Sequence, residues 1–165
     1  KTFDRLKLQK KNKKCATLSI SILLLKLITK KIRTLGRNMN VFPKKFKQDL
    51  NKKCVLPFED GSFDKVTCVV SIDYLNQPLE IMREVARVLR PGGICLCALS
   101  NRCFPTKAFQ LWLRTNDLEH IFIVGSFFHY TGMFEPPSCQ DISPNPGRTD
   151  PLYIVRAQKK LRFWD

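Results

Sequence analysis

Leu56–Arg102 reads LPFEDGSFDKVTCVVSIDYLNQPLEIMREVARVLRPGGICLCALSNR, and the order of elements inside it decides the fold. Asp60-Gly61 marks a turn. Phe63–Ile72 is rich in Val, Thr and Ile and almost unbroken in apolarity after Lys65, the pattern of a parallel strand covered on both faces. Pro78–Arg90 predicts a helix, with its proline in the first turn where the missing N–H costs nothing. Leu79, Met82, Val85, Ala86 and Leu89 recur at helical spacing and form its inner stripe. Glu80 and Glu84 face Arg83, Arg87 and Arg90 on the outer side as helical ion pairs. Pro91-Gly92-Gly93 stops the helix and turns the chain into a second apolar strand, Ile94–Leu99. Strand, helix and strand make a βαβ unit with two parallel neighbours.

Outward from this unit the signals thin. Val41–Leu50 holds a short strand ending at Asp49, and Asn51–Phe58 is a loop broken by Pro57. Thr17–Ile28 is apolar enough for a helix or a strand, and so short a run does not decide between them. Downstream, Pro105–Arg114 predicts a helix and His120–Phe128 a third strand. A Pro- and Gly-rich loop, Glu135–Pro151, then leads to a closing strand, Leu152–Ala157.

Charge divides the chain. Lys1–Lys53 carries 17 Lys+Arg against Asp4 and Asp49, whereas Cys54–Asp165 balances 12 basic with 12 acidic residues. The whole excess of +15 therefore sits in the first third. Such a segment suits a peripheral contact with an anionic membrane, a solvated tail, an organelle-targeting extension, or residues foreign to the fold. Phe3 is its only aromatic before Phe42, which leaves little for base stacking and argues against nucleic acid. The expected organisation is a poorly ordered or non-native basic segment at 1–40 and a globular body at 41–160.

The seven cysteines form no CxxC pair, so neither a disulfide framework nor a metal site is indicated. Cys95 and Cys97 alternate on one face of a strand, as small core residues do. Free thiols of this kind indicate a reducing, cytoplasmic setting. A plastid or mitochondrial location is the alternative if the basic segment is a transit peptide, although Arg and Ser are sparse there. Ile20–Ile28 is interrupted by Lys26 and too short to span a bilayer.

LPFEDGSFDKV, the following strand and helix, RVLRPGG and the next apolar strand together resemble the middle of a class I S-adenosylmethionine (SAM)-dependent methyltransferase of the type 11 group. The resemblance runs from about Val41 to Lys159 and implies an α/β fold. That fold is a partial Rossmann-like methyltransferase sheet, mostly parallel, with a C-terminal antiparallel hairpin and an incomplete N-terminal half. It also implies SAM as cofactor and a small-molecule methyl acceptor.

Roles follow by position. Class I enzymes bind SAM across the carboxyl ends of parallel strands. The resemblance places Asp49 beside the adenine amine and Leu50 on the adenine face; otherwise Asp49 caps a turn. Ser71, Ile72, Asp73 and Tyr74 end the strand where backbone approaches the methionine part of the cofactor. Asp73 and Tyr74 would face the transferred methyl group, or Asp73 caps the next helix. Asn101 and Arg102 follow the next strand on the same side. His129, which ends the expected third strand, is a candidate general base or else a packed histidine. Asp141, Asn145, Arg148 and Asp150 lie in the Pro-rich loop, a substrate lid or a stiff connection.

The upstream half departs from the family. Gly36 is the only glycine before Gly61, and no E/D-x-G-x-G-x-G occurs. The expectation is a truncated or replaced first half that binds SAM poorly or not at all. The alternative is a catalytically inactive remnant acting as an interaction module. Without its usual neighbour, Phe63–Ile72 would present an unpaired edge and invite self-association.

Overall fold

The computed structural model describes residues 16–21, 26–31 and 45–161. Its strands are β1 (Ala16–Ser21), β2 (Lys26–Lys31), β3 (Lys45–Lys47), β4 (Phe63–Val69), β5 (Leu89–Leu99), β6 (Ser138–Asp141) and β7 (Tyr153–Gln158). Its helices are α1 (Pro78–Val88), α2 (Gln110–Leu113) and α3 (Asp117–Thr131), with a 3-10 turn at Ile72–Tyr74. The strands form one sheet in the order β3-β2-β1-β4-β5-β7-β6. Its centre, β1-β4-β5, is parallel, and α1 carries the chain from β4 to β5. β2 and β7 run against this direction and bring β3 and β6 back along it. The fold is α/β and Rossmann-like at the centre, closed by the expected C-terminal antiparallel hairpin, β6–β7.

Register explains where the core sits. Leu18, Val66, Cys95 and Ala157 pair in one row across the sheet, and Ile20, Cys68, Cys97 and Val155 in the next. All eight are buried. Because side chains alternate along a strand, these rows share one face, the one on which apolar surface leaves water. α1 and α3 both pack on β5 and against each other, so they cover a single face. Ile81, Met82, Val85, Ala86 and Val88 are the buried side chains of α1; Leu79 is only half-buried, and Leu89 opens β5. The expectation that β4 is covered on both faces is not met among the described residues, since Lys65 and Val69 are exposed between buried neighbours.

The LPFEDG loop is held by α1. The Arg87 guanidinium donates to the Leu56 carbonyl (3.0 Å), the Phe58 carbonyl (2.8 Å) and Asp60 (2.7 Å) while pairing with Glu84 through two nitrogens. Glu84 in turn accepts the Leu56 N–H at 2.9 Å. Arg90 reaches the Gly61 carbonyl (3.1 Å) and Asp64 (2.7 Å). Arg87 and Arg90 therefore do more than pair along the helix surface. Their planar forks tie loop, strand and helix together.

Four expectations are corrected. His120–Phe128 is not a strand but the body of α3. The Asn116 side chain and Glu119 form a capping box at its start, and Gly132, at φ 70°, ends it in a left-handed cap. The hairpin partner of β7 is instead β6, drawn from the stretch expected to be loop. Only Gln110–Leu113 of Pro105–Arg114 is helical. Finally, β4 has no unpaired edge, because β1 lies parallel to it from Thr17↔Lys65 to Ser21↔Val69. Its backbone groups are satisfied within the chain, which removes the physical reason for edge-to-edge self-association. β1 and β2 come from the segment set apart at 1–40; the rest of that segment lies outside the described residues.

Candidate active site at the carboxyl ends of the parallel strands

β4 ends in strain. Val70 has φ 43°, a left-handed conformation that a β-branched residue adopts only when its surroundings force it. Its N–H is fixed by the Ala98 carbonyl of β5 at 2.9 Å. Ser71, buried, donates its hydroxyl to the Val69 carbonyl at 2.6 Å. The chain then makes the 3-10 turn that carries Ile72, Asp73 and Tyr74. Sharp exit from the strand and burial by later segments leave Asp73 at 3 % exposure.

Asp73 is the unusual group here. Burial raises its carboxyl to about 6, against the opposing pull of its own backbone N–H, the Tyr74 hydroxyl and the nearby His120 ring. Its Oδ2 has no hydrogen-bond partner. The Tyr74 hydroxyl accepts the Phe104 N–H at 2.6 Å and is pushed up to about 12, chiefly by burial. Cys103 is raised first by burial and then by the Asp73 carboxylate.

Asp49 and Leu50 are brought to this turn by a residue that the sequence did not single out. Asn51 donates to the Tyr74 carbonyl and accepts the Asn76 N–H, each at 2.9 Å. Asp49 Oδ1 accepts the Asn51 N–H at 3.0 Å, so this carboxylate does cap a turn. Leu50 is 1 % exposed, and its side chain is taken up by the core. Ile72, at 2 %, is the same.

His129 is not part of this cluster. It lies exposed in the last turn of α3, just before the residues that bridge to Lys159. Lys159 pairs with Gly92 and Gly93 at the amino end of β5, the opposite end of the sheet from Asp73. His120 is the histidine at the site end. It is buried, its Nε2 lies 2.9 Å from the Trp112 carbonyl, and its ring stacks on the Trp112 indole at 3.8 Å. The signal for it was Asn116-Asp-Leu-Glu119, a capping box that starts a helix and puts His120 in the first turn.

Asn101 and Arg102 are exposed, and Arg102 pairs with Asp150 of the β6–β7 loop. That loop is pinched at its neck by Ile142 N–H on the Leu152 carbonyl (2.9 Å). Since Leu99 pairs with Tyr153, it sits at the carboxyl end of β5, on the site side. Asp141 is occupied with Ser143, and Arg148 N–H with the Asn145 carbonyl.

A family model described as a methyltransferase domain matches residues 5–97. A methyltransferase of Streptomyces halstedii, GfsG, is 44% identical over 45 residues, 27% of this chain and 16% of its own length. The ubiquinone/menaquinone biosynthesis C-methyltransferase UbiE of Bartonella quintana is 43% identical over 60 residues, 34% of this chain and 23% of its own length. Among solved structures, a SAM-dependent methyltransferase from Aquifex aeolicus aligns with a TM-score of 0.48 at 15% identity, covering 70% of this chain and 54% of that one. The matched segments thus span a quarter or less of these two curated relatives.

Proposed function

The chain belongs to the methyltransferase domain family, whose methyl donor is S-adenosyl-L-methionine, and from this premise we propose that Asp73 and Tyr74 form the acceptor end of a site transferring methyl groups to a small molecule. The observation that carries the proposal is the buried, unpartnered Oδ2 of Asp73 at the carboxyl end of a central parallel strand.

The fit to the donor is uneven. Val70, at φ 43°, turns the chain sharply just before Asp73, at the strand end where the resemblance puts the methionine part of the donor. The carboxylate end is different. In the resemblance a Gly-rich loop follows the central strand beside β4; here β1 holds that place and only Ile22–Leu25, with no glycine, separate it from β2. Glycines allow backbone N–H groups to close on an anion, and bulky apolar residues do not.

The donor supplies an already activated methyl group. This chain's part is to orient the acceptor, exclude water and take its proton at Asp73 Oδ2. At neutral pH a carboxyl raised to about 6 is mostly ionised, so it is ready to do so. Donor affinity is reduced. Each missing charge-assisted hydrogen bond is worth roughly 1.5–3 kcal/mol, and about 1.4 kcal/mol is tenfold in affinity.

The glycine-free connection also favours a second reading, a methyltransferase-like interaction module without turnover. Isothermal titration of the full chain with SAM separates the two. Weak, saturable binding that Asp73→Ala diminishes supports the enzyme. Absence of binding at several millimolar supports the module, and tight micromolar binding overturns the assignment of a defective carboxylate pocket. Free buried thiols at Cys68, Cys95 and Cys97 support a reducing compartment for either.

A further inference from the structure

α3 buries one side and leaves the other bare. His120, Val124 and Phe128 are buried, while Leu118, Phe122 and Tyr130 stand 65%, 77% and 69% exposed. Glu119 and His129 are exposed too, and Ser126 is half-buried. At about 100° per residue these six side chains fall within about 120° of arc, opposite the buried three, so they share one outer stripe. Single exposed apolar residues need no explanation, but three large ones on one stripe mark a surface for a partner.

The chemistry of the stripe selects the partner. Asp117–Thr131 holds no Lys or Arg, in a chain that has 29, and its amino end carries Asp117 and Glu119. Neither an anionic lipid surface nor a nucleic acid finds a cation there. The stripe instead matches itself. Val124 lies midway between Leu118 and Tyr130, between Glu119 and His129, and between Phe122 and Ser126. Two copies of α3 packed antiparallel about Val124 therefore set each of these residues opposite its mate on the second copy. The large Phe122 ring meets the small Ser126, whose hydroxyl already donates to the Ile123 carbonyl at 2.7 Å and can be covered without losing a bond. Leu118 meets the Tyr130 ring. The capping box takes Glu119 Oε2, so Oε1 remains to accept an N–H from His129 of the second copy. Opposed helix dipoles favour the same arrangement.

We propose that this chain forms a two-fold symmetric dimer through the outer face of α3. The contact is independent of the site at Asp73 and is small, so association should be micromolar or weaker.

Sedimentation velocity of the full chain tests this, over a wide range of concentration and with reductant present so that the exposed Cys139 cannot cross-link. A reversible monomer–dimer equilibrium is expected. Phe122→Glu, a good helix former at an exposed position, should weaken it roughly tenfold or more. Leu118→Glu, which suits the helix's own amino end, should weaken it as well. His129→Glu sets carboxylates against each other and should dimerise less than His129→Lys. Unchanged circular dichroism of each variant shows that α3 still folds. A monomer at every concentration overturns the proposal, as does association that Phe122→Glu and Leu118→Glu leave untouched. Equal dimerisation of His129→Glu and His129→Lys overturns the antiparallel pairing. A monomer that co-sediments with phosphatidylcholine vesicles through Phe122 overturns it in favour of a lipid surface.

Discussion

Asn51 bridges two segments that meet at the end of β4, giving its amide N–H to the Tyr74 carbonyl and taking the Asn76 N–H, both at 2.9 Å. Through it the Asp49–Leu50 turn is locked to the turn carrying Asp73. Asn51→Ala removes both bonds and leaves two backbone groups to find water. The expected loss is about 1–3 kcal/mol in urea denaturation, with faster exchange of the Asn76 amide. Unchanged exchange at Asn76 would show that the bridge is not formed in solution.

Arg87 offers a sharper test. Its guanidinium serves the Leu56 and Phe58 carbonyls, Asp60 and Glu84 at once, and Glu84 is held below its usual range chiefly by this partner. Arg87→Ala strands these acceptors and should cost roughly 2 kcal/mol or more, discounted for a partly exposed cluster. Arg87→Lys should recover little, because a point charge cannot replace a fork. The Glu84 contribution is present above its unfolded pKa and is lost as pH falls through the lower folded value. Wild-type and Arg87→Ala melting points should therefore converge in acid.

How far the sequence speaks depends on whether a signal is local. β4, α1 and β5 were legible because turn residues and helical spacing agree over one continuous stretch, although α1 already ends at Val88 and Pro91-Gly92-Gly93, expected to stop it, lies inside β5. α3 was not, because Ile121, Phe122, Ile123, Phe127 and Phe128 read as β-rich and its helical evidence lies only in its caps. β1 was ambiguous because a short apolar run has no period to measure, and only pairing with β4 decides it. At the site, Asp73 and Tyr74 were named by position. The burial that sets the state of Asp73 is not written in its neighbours along the chain, and the Phe109 N–H that bonds its carbonyl comes from far downstream. His129 was misplaced for the same reason that α3 was misread.

Gly93 is fixed by close approach. A Cβ there would meet the Arg90 carbonyl oxygen at 2.9 Å, Leu89 Cδ2 at 3.0 Å and the Asp64 carbonyl oxygen at 3.1 Å. Two of these three atoms are backbone and cannot swing aside. Gly93→Ala should destabilise by about 1–3 kcal/mol, read as a lower urea midpoint at unchanged slope. Gly125→Ala, where the nearest atom lies at 3.7 Å, should be tolerated and serves as the control.

Asp73 ties stability to the site. Its folded value, about 6, lies above the ordinary 3.8, so the folded protein holds the proton more tightly than the unfolded chain. Stability from this group is therefore greatest below pH 3.8 and is lost as pH rises through 6. At about 1.4 kcal/mol per pH unit, the full cost of keeping this carboxylate buried and ionised at pH 7.5 is on the order of 3 kcal/mol. Asp73→Asn removes the charge while keeping the shape. Urea denaturation at pH 7.5 should find the variant more stable than wild type by up to that amount, with the difference shrinking towards pH 4. A variant less stable than wild type at pH 7.5 would mean that Oδ2 has a fixed partner in solution. Gain of stability together with loss of acceptor binding is the signature of a group held at a functional site against the interest of the fold.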